Sequence, residues 1–128
     1  MPPRIYPTVA EAIEAHRLLI EEFGGLAGVR DMALLESAIS RPQNGYYGNL
    51  IDEASALMES LANKHPFHDG NKRISFVMTD TMLRANGYFL DAEAAEAYQA
   101  ITEAMERHEF RFPMIRAWIA AHIKLLEE

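Results

Sequence analysis

Apolar residues recur at intervals of three and four along almost the whole chain, which is the period of a helix and not of a strand. Start and stop signals divide that pattern into six helices. The first opens on Thr8, with Glu11 three residues later in a capping-box arrangement, and stops at Gly24-Gly25. The second follows Asp31 through Leu34, Leu35, Ala38 and Ile39 to Arg41-Pro42, where the residue before proline leaves helical geometry. The third runs from an Asp52 cap through Ala54, Leu57, Met58 and Leu61 to about Lys64, ended by Pro66. The fourth begins near Gly70, turns Ile74, Val77, Met78, Thr81, Met82 and Ala85 toward the expected centre of the molecule, and closes at Asn86-Gly87. The fifth follows Asp91 to about Arg107, and the sixth starts at Phe112-Pro113 and runs to Leu126. Between the second and third, residues 43–50 carry turn signals around Tyr46 and Tyr47 and admit a small hairpin or flap. The expected architecture is all-α: one compact domain over residues 1–128, built as a bundle of about six helices.

Composition narrows the class. With 128 residues, 49 % hydrophobic and 24 % charged, the chain has the size and balance of a single folded domain. A net charge of -7 argues against a broad grip on nucleic acid or on an anionic membrane, each of which needs clustered Lys and Arg. There is no cysteine, so disulfide and thiolate chemistry are excluded. The opening Met1-Pro2-Pro3-Arg4 lacks the apolar stretch of a secretory leader, and no apolar run is long enough to span a bilayer. A cytoplasmic protein is expected.

The chemistry is concentrated between the third and fourth helices, in His65-Pro66-Phe67-His68-Asp69-Gly70-Asn71-Lys72-Arg73. Gly70, Asn71 and Lys72 fall at a helix N-terminus, where unpaired N–H groups and the helix dipole favour an anion. Lys72 adds a point charge and Arg73 a planar fork of donors, both suited to phosphate oxygens. Asp69 is a hard oxygen ligand of the kind magnesium takes when it also holds substrate phosphates. His65, just beyond a helix end, is the candidate general base, histidine being the side-chain type that titrates nearest neutrality. Phe67 reads as an apolar anchor for the loop, and His68 as facing solvent or substrate.

Plainer readings exist for each residue. Asp69 is equally expected as a simple N-cap, and Lys72 and Arg73 as a solvated helix face. His65 and His68, with His16, His108 or His122 folded nearby, would suit a transition metal. Tyr46 and Tyr47 divide between a target-binding flap and ordinary packing.

The nine-residue run resembles the Fic signature, His-Pro-Phe-x-Asp/Glu-Gly-Asn-Gly/Lys-Arg. Gly28-Val29-Arg30-Asp31, Leu34-Leu35-Glu36, Arg41-Pro42-Gln43 and Asn86-Gly87 look like the Doc (death-on-curing) branch of the same superfamily. The resemblance covers about residues 24 to 90. It implies a compact helical fold and the toxin half of a toxin–antitoxin pair. It further implies that His65 is the base, Asp69 a magnesium ligand, Gly70 and Asn71 the anion hole, and Lys72 and Arg73 phosphate contacts. Two departures from the AMP-transferring pattern, Lys72 for its second glycine and Phe76 for its final arginine, imply a reversed nucleotide, with ATP giving up its terminal phosphate to a Thr or Ser hydroxyl. The acceptor implied is a threonine of elongation factor Tu, with arrest of translation as the consequence. The strings from Ser55 to Ser60 and from Thr102 to Arg107 fail the family's inhibitory-helix pattern at its last position, so inhibition is expected from an antitoxin chain. AMP transfer by the same site, or a module that binds nucleotide or antitoxin without chemistry, are the competing readings.

Overall fold

The computed structural model describes residues 3–127; Met1, Pro2 and Glu128 lie outside it, and with them part of the N-terminal stretch read above for a secretory leader. Six helices form: α1 (Val9–Phe23), α2 (Met32–Ser40), α3 (Leu50–Lys64), α4 (Asn71–Ala85), α5 (Ala94–Glu106) and α6 (Phe112–His122). The capping box of α1 is made, since the Thr8 hydroxyl accepts the Glu11 N–H (3.1 Å) and the Glu11 carboxylate accepts the Thr8 N–H (2.9 Å). Asp31 likewise caps α2 by accepting the Leu34 N–H at 3.0 Å.

α3 is the central helix. Ten of its fifteen residues are buried, so it is covered on nearly every side, as expected of a helix with no solvated face. It packs most extensively on α4 and then on α6. One hydrophobic cluster runs through Leu57, Leu61, Phe67, Ile74, Met82, Ile115 and Ile119. No helix among the described residues is long and apolar enough to cross a membrane.

Four expectations are corrected. α3 begins two residues before Asp52, because Asn49 is extended and already caps the helix by accepting the Asp52 N–H (2.9 Å). Residues 43–50 form no hairpin: after a 3-10 turn at Arg41–Gln43 the segment runs as bends and coil. Side chains hold it instead, as Arg41 donates to the Tyr47 hydroxyl (2.8 Å) and Tyr47 stacks on Phe112. The strands lie elsewhere. β1 (Tyr88–Leu90) pairs antiparallel with β2 (Ile123–Leu125), Phe89 opposite Lys124, so α6 ends at His122 and not at Leu126. The buried side of α4 is also rotated from the one expected: Ser75 and Thr79 are inside, while Thr81 and Ala85 are exposed. These hydroxyls tolerate burial because Ser75 donates to the Lys72 carbonyl and Thr79 to that of Ser75, each at 2.7 Å.

The turn after α4 gathers distant segments. Asn86 exchanges two hydrogen bonds with the backbone of Ile5, at 2.9 and 2.7 Å. The Leu126 N–H donates to the Gly87 carbonyl at 2.9 Å.

Candidate active site at the start of α4

α3 stops at His65, whose backbone is left-handed (φ 52°, ψ 56°), a conformation that a non-glycine residue adopts only when its surroundings enforce it. Arg30 is the enforcing group. Its guanidinium donates to the His65 carbonyl (2.6 Å) and to that of Lys64 (2.9 Å). The backbone beside it follows suit, the N–H groups of Arg30 and Asp31 both donating to the Pro66 carbonyl, at 2.8 and 3.0 Å. Val29 bridges Phe67, and the His68 N–H reaches the Gly28 carbonyl (3.2 Å). The Gly28–Asp31 stretch is therefore the splint that shapes the loop carrying the base candidate.

From inside, the loop is pinned by Phe67, which is 1 % exposed. Its ring lies flat on that of His16, with centroids 3.9 Å apart and planes 10° from parallel. The Asn71 amide closes the loop on itself, accepting the Phe67 N–H (3.1 Å) and donating to the Phe67 carbonyl (3.0 Å). The side chain of Asn71 is thus a buried brace, which leaves its backbone N–H as the atom able to serve an anion.

Asp69 lies one residue before the N-cap of α4, which is Gly70 with φ 76°. Its carboxylate does not cap that helix and instead accepts the Leu26 N–H through Oδ2 (2.6 Å). The simple N-cap reading of Asp69 is therefore replaced. Since Gly70 offers no side chain and α4 has no side-chain cap, the first N–H groups of this helix are left for a ligand. Lys72 forms no ion pair among the described residues. The Arg73 guanidinium carbon lies over two rings, 4.1 Å from the centre of Phe23 and 4.7 Å from that of Tyr98. Burial pushes the Tyr98 hydroxyl up, against the opposing pull of Arg73.

The structure brings His65, Asp69, Gly70, Asn71, Lys72 and Arg73 together around one open pocket of about 320 Å³, with His68 also on its wall. A larger cleft of about 530 Å³, at Arg84, Phe89 and Lys124, contains none of them. The transition-metal reading is not met: no three His, Cys, Asp or Glu side chains among the described residues converge as a ligand set. His16 is stacked on Phe67 and His122 on Trp118.

Sequence reasoning named His16 only as a possible metal ligand and Arg30 only within a family-like string, and it missed Leu26 and the Phe23–Tyr98 pair altogether. The structural place of His16 left a signal of its own, as a lone polar residue on the buried stripe Ala12, His16, Leu19 of α1.

A mostly helical scaffold with a two-stranded ribbon presents an uncapped helix N-terminus, two cations, a carboxylate and two imidazoles to one pocket. The profile of the Fic/DOC family matches residues 6–83, and the chain belongs to that family. It is similar to a protein of Mycolicibacterium smegmatis described as Toxin Doc, with 45 % identity over 76 residues, covering 56 % of this chain and 58 % of that relative. The similarity thus spans little more than half the length of each.

Proposed function

We propose that this protein is a Doc-like toxin that transfers the terminal phosphate of ATP to a Ser or Thr hydroxyl of another protein. The expected acceptor is elongation factor Tu, and the expected inhibitor a cognate antitoxin. Both would place its action in the cytoplasm and its effect on translation. The observation that carries the reading is the convergence of His65, Asp69, Lys72 and Arg73 on the uncapped start of α4 within one pocket.

The residues fit a magnesium nucleotide. Asp69 is exposed and has one carboxylate oxygen anchored by Leu26, which orients the other for a cation. A single carboxylate suits magnesium, which fills its remaining positions with water and phosphate oxygens. Bound there, the metal would neutralise charge on the phosphate oxygens.

This chain's own part is positioning and proton transfer. The N–H groups of Asn71 and Lys72 and the Lys72 ammonium take phosphate oxygens, and the Arg73 guanidinium adds further donors. His65 accepts the proton as the acceptor oxygen bonds to the terminal phosphorus. The bond from that phosphorus to its bridging oxygen breaks, and ADP leaves with the electron pair. Lys72 in place of a glycine is the reason to prefer phosphate over AMP transfer, through the family resemblance.

Intact mass spectrometry of elongation factor Tu, incubated with this protein, magnesium and ATP, tests the reading beside a His65→Ala variant. A phosphate-sized increment lost in the variant is expected. An AMP-sized increment would move the assignment to adenylylation, and transfer undiminished by His65→Ala would remove the base from His65.

A further inference from the structure

A second cavity, of about 340 Å³, opens between α2, the 3-10 turn, the end of α3 and the start of α6, with Ser37, Arg41, Glu59, Ser60, Lys64 and Arg111 on its wall. Three of these are cations and one is an anion. That anion is already spent. Glu59 binds Arg41 through Oε1 (2.8 Å) and accepts the Phe112 N–H through Oε2 (2.6 Å).

Arg41 is in turn fixed by the Tyr47 hydroxyl (2.8 Å), Ser60 Oγ (2.9 Å) and the Ala56 carbonyl (3.3 Å). Burial works against its charge, yet the bonds from Glu59 and Tyr47 hold its guanidinium above the ordinary value. Lys64 and Arg111 form no ion pair among the described residues. The cavity is left with two uncompensated positive charges on a chain whose net charge is -7. A concave site lined by one sign of charge focuses its field and draws the opposite charge.

Its place matters as much as its charge. Lys64 immediately precedes His65, and Arg30 grips the carbonyls of both at 2.9 and 2.6 Å. The rim of the cavity and the base candidate therefore sit on one rigid helix end.

We propose that this cavity is a docking site for an acidic peptide segment of the acceptor protein, one carboxylate of which enters between Lys64 and Arg111 while a neighbouring hydroxyl meets His65. The assignment of an acceptor rests on the transferase reading above; binding of the acidic segment requires neither ATP nor turnover.

The test is calorimetric titration of the full chain with a hexaglutamate peptide at low ionic strength, repeated for Lys64→Ala/Arg111→Ala and for the milder Lys64→Gln/Arg111→Gln. Binding to the unaltered protein is expected, weakened at least tenfold in either double variant and by added salt. Lys72→Ala, at the other cationic pocket, is expected to leave it unchanged. Thermal unfolding of each variant separates loss of binding from loss of fold. The proposal is overturned if hexaglutamate does not bind, if the folded double variants bind it equally well, or if Lys72→Ala alone abolishes binding. Failure of phosphate transfer to elongation factor Tu, with peptide binding retained, would count against the transferase reading and not against the cavity.

Discussion

The ring of His16 donates its Nε2–H to the main-chain carbonyl of Asp69 across 2.7 Å, from a position that is 2 % exposed. The carboxylate of the same aspartate takes the Leu26 N–H. α1 and the turn after it thus hold Asp69 by its backbone and by its side chain.

His16→Phe keeps an aromatic face on Phe67 and removes the donor. Leaving the Asp69 carbonyl unpaired should cost about 1–3 kcal/mol, read as a lower urea midpoint with an unchanged slope. His16→Gln, which retains an N–H, is expected to recover part of the loss. Equal stability of His16→Phe and the parent would remove the hydrogen bond from the account.

Gly25 stands at φ +110°, and a Cβ there would meet the Asp69 Cβ and Ile20 Cδ1, each at 3.3 Å. Gly25→Ala should destabilise by about 1–2 kcal/mol or more and weaken magnesium-dependent nucleotide binding by displacing Asp69. Gly48→Ala, which meets nothing within 4 Å, is the control and should be neutral. A Gly25→Ala protein that melts and binds like the parent would contradict the close approach.

Asn71→Ala strips both partners from the buried backbone of Phe67, at about 1–3 kcal/mol for each orphaned group. A large fall in melting temperature is expected together with lost activity. Inactivity without destabilisation would show that the amide works on the ligand and not on the loop.

His65 gives the sharpest contrast. Because its φ of 52° is left-handed, His65→Gly should stabilise the fold by about 1 kcal/mol while abolishing transfer. A destabilised His65→Gly protein would mean that the imidazole has a packing role that its exposed position does not suggest.

Much of this was readable from the chain. The caps at Thr8 and Asp31 and the stops at Gly24, Pro66 and Asn86 are local signals, and the helices obey them. Seven of the nine motif residues line one pocket, while Pro66 and Phe67 turn inward. What stayed hidden depends on contacts between distant segments: His16 reaches Asp69 across 53 positions, and β1 finds β2 from the far end of the chain. Three-residue strands carry almost no periodicity of their own. The expected hairpin at residues 43–50 failed for the opposite reason: Asn44 does bend the chain, its Oδ1 accepting the Tyr46 N–H, but Tyr47 is then held by Arg41, itself bound to Glu59 of α3, and by stacking on Phe112 of α6.

The junction at Asn86-Gly87 brings Ile5 and Leu126 onto neighbouring residues, so the backbone runs as a nearly closed belt with that turn as its buckle. A cut at the exposed Gly45 would fall between the splint at Gly28–Asp31 and the loop and brace that it shapes, leaving the bonds of Arg30, Asp31 and Gly28 across that gap as what holds the pocket in register.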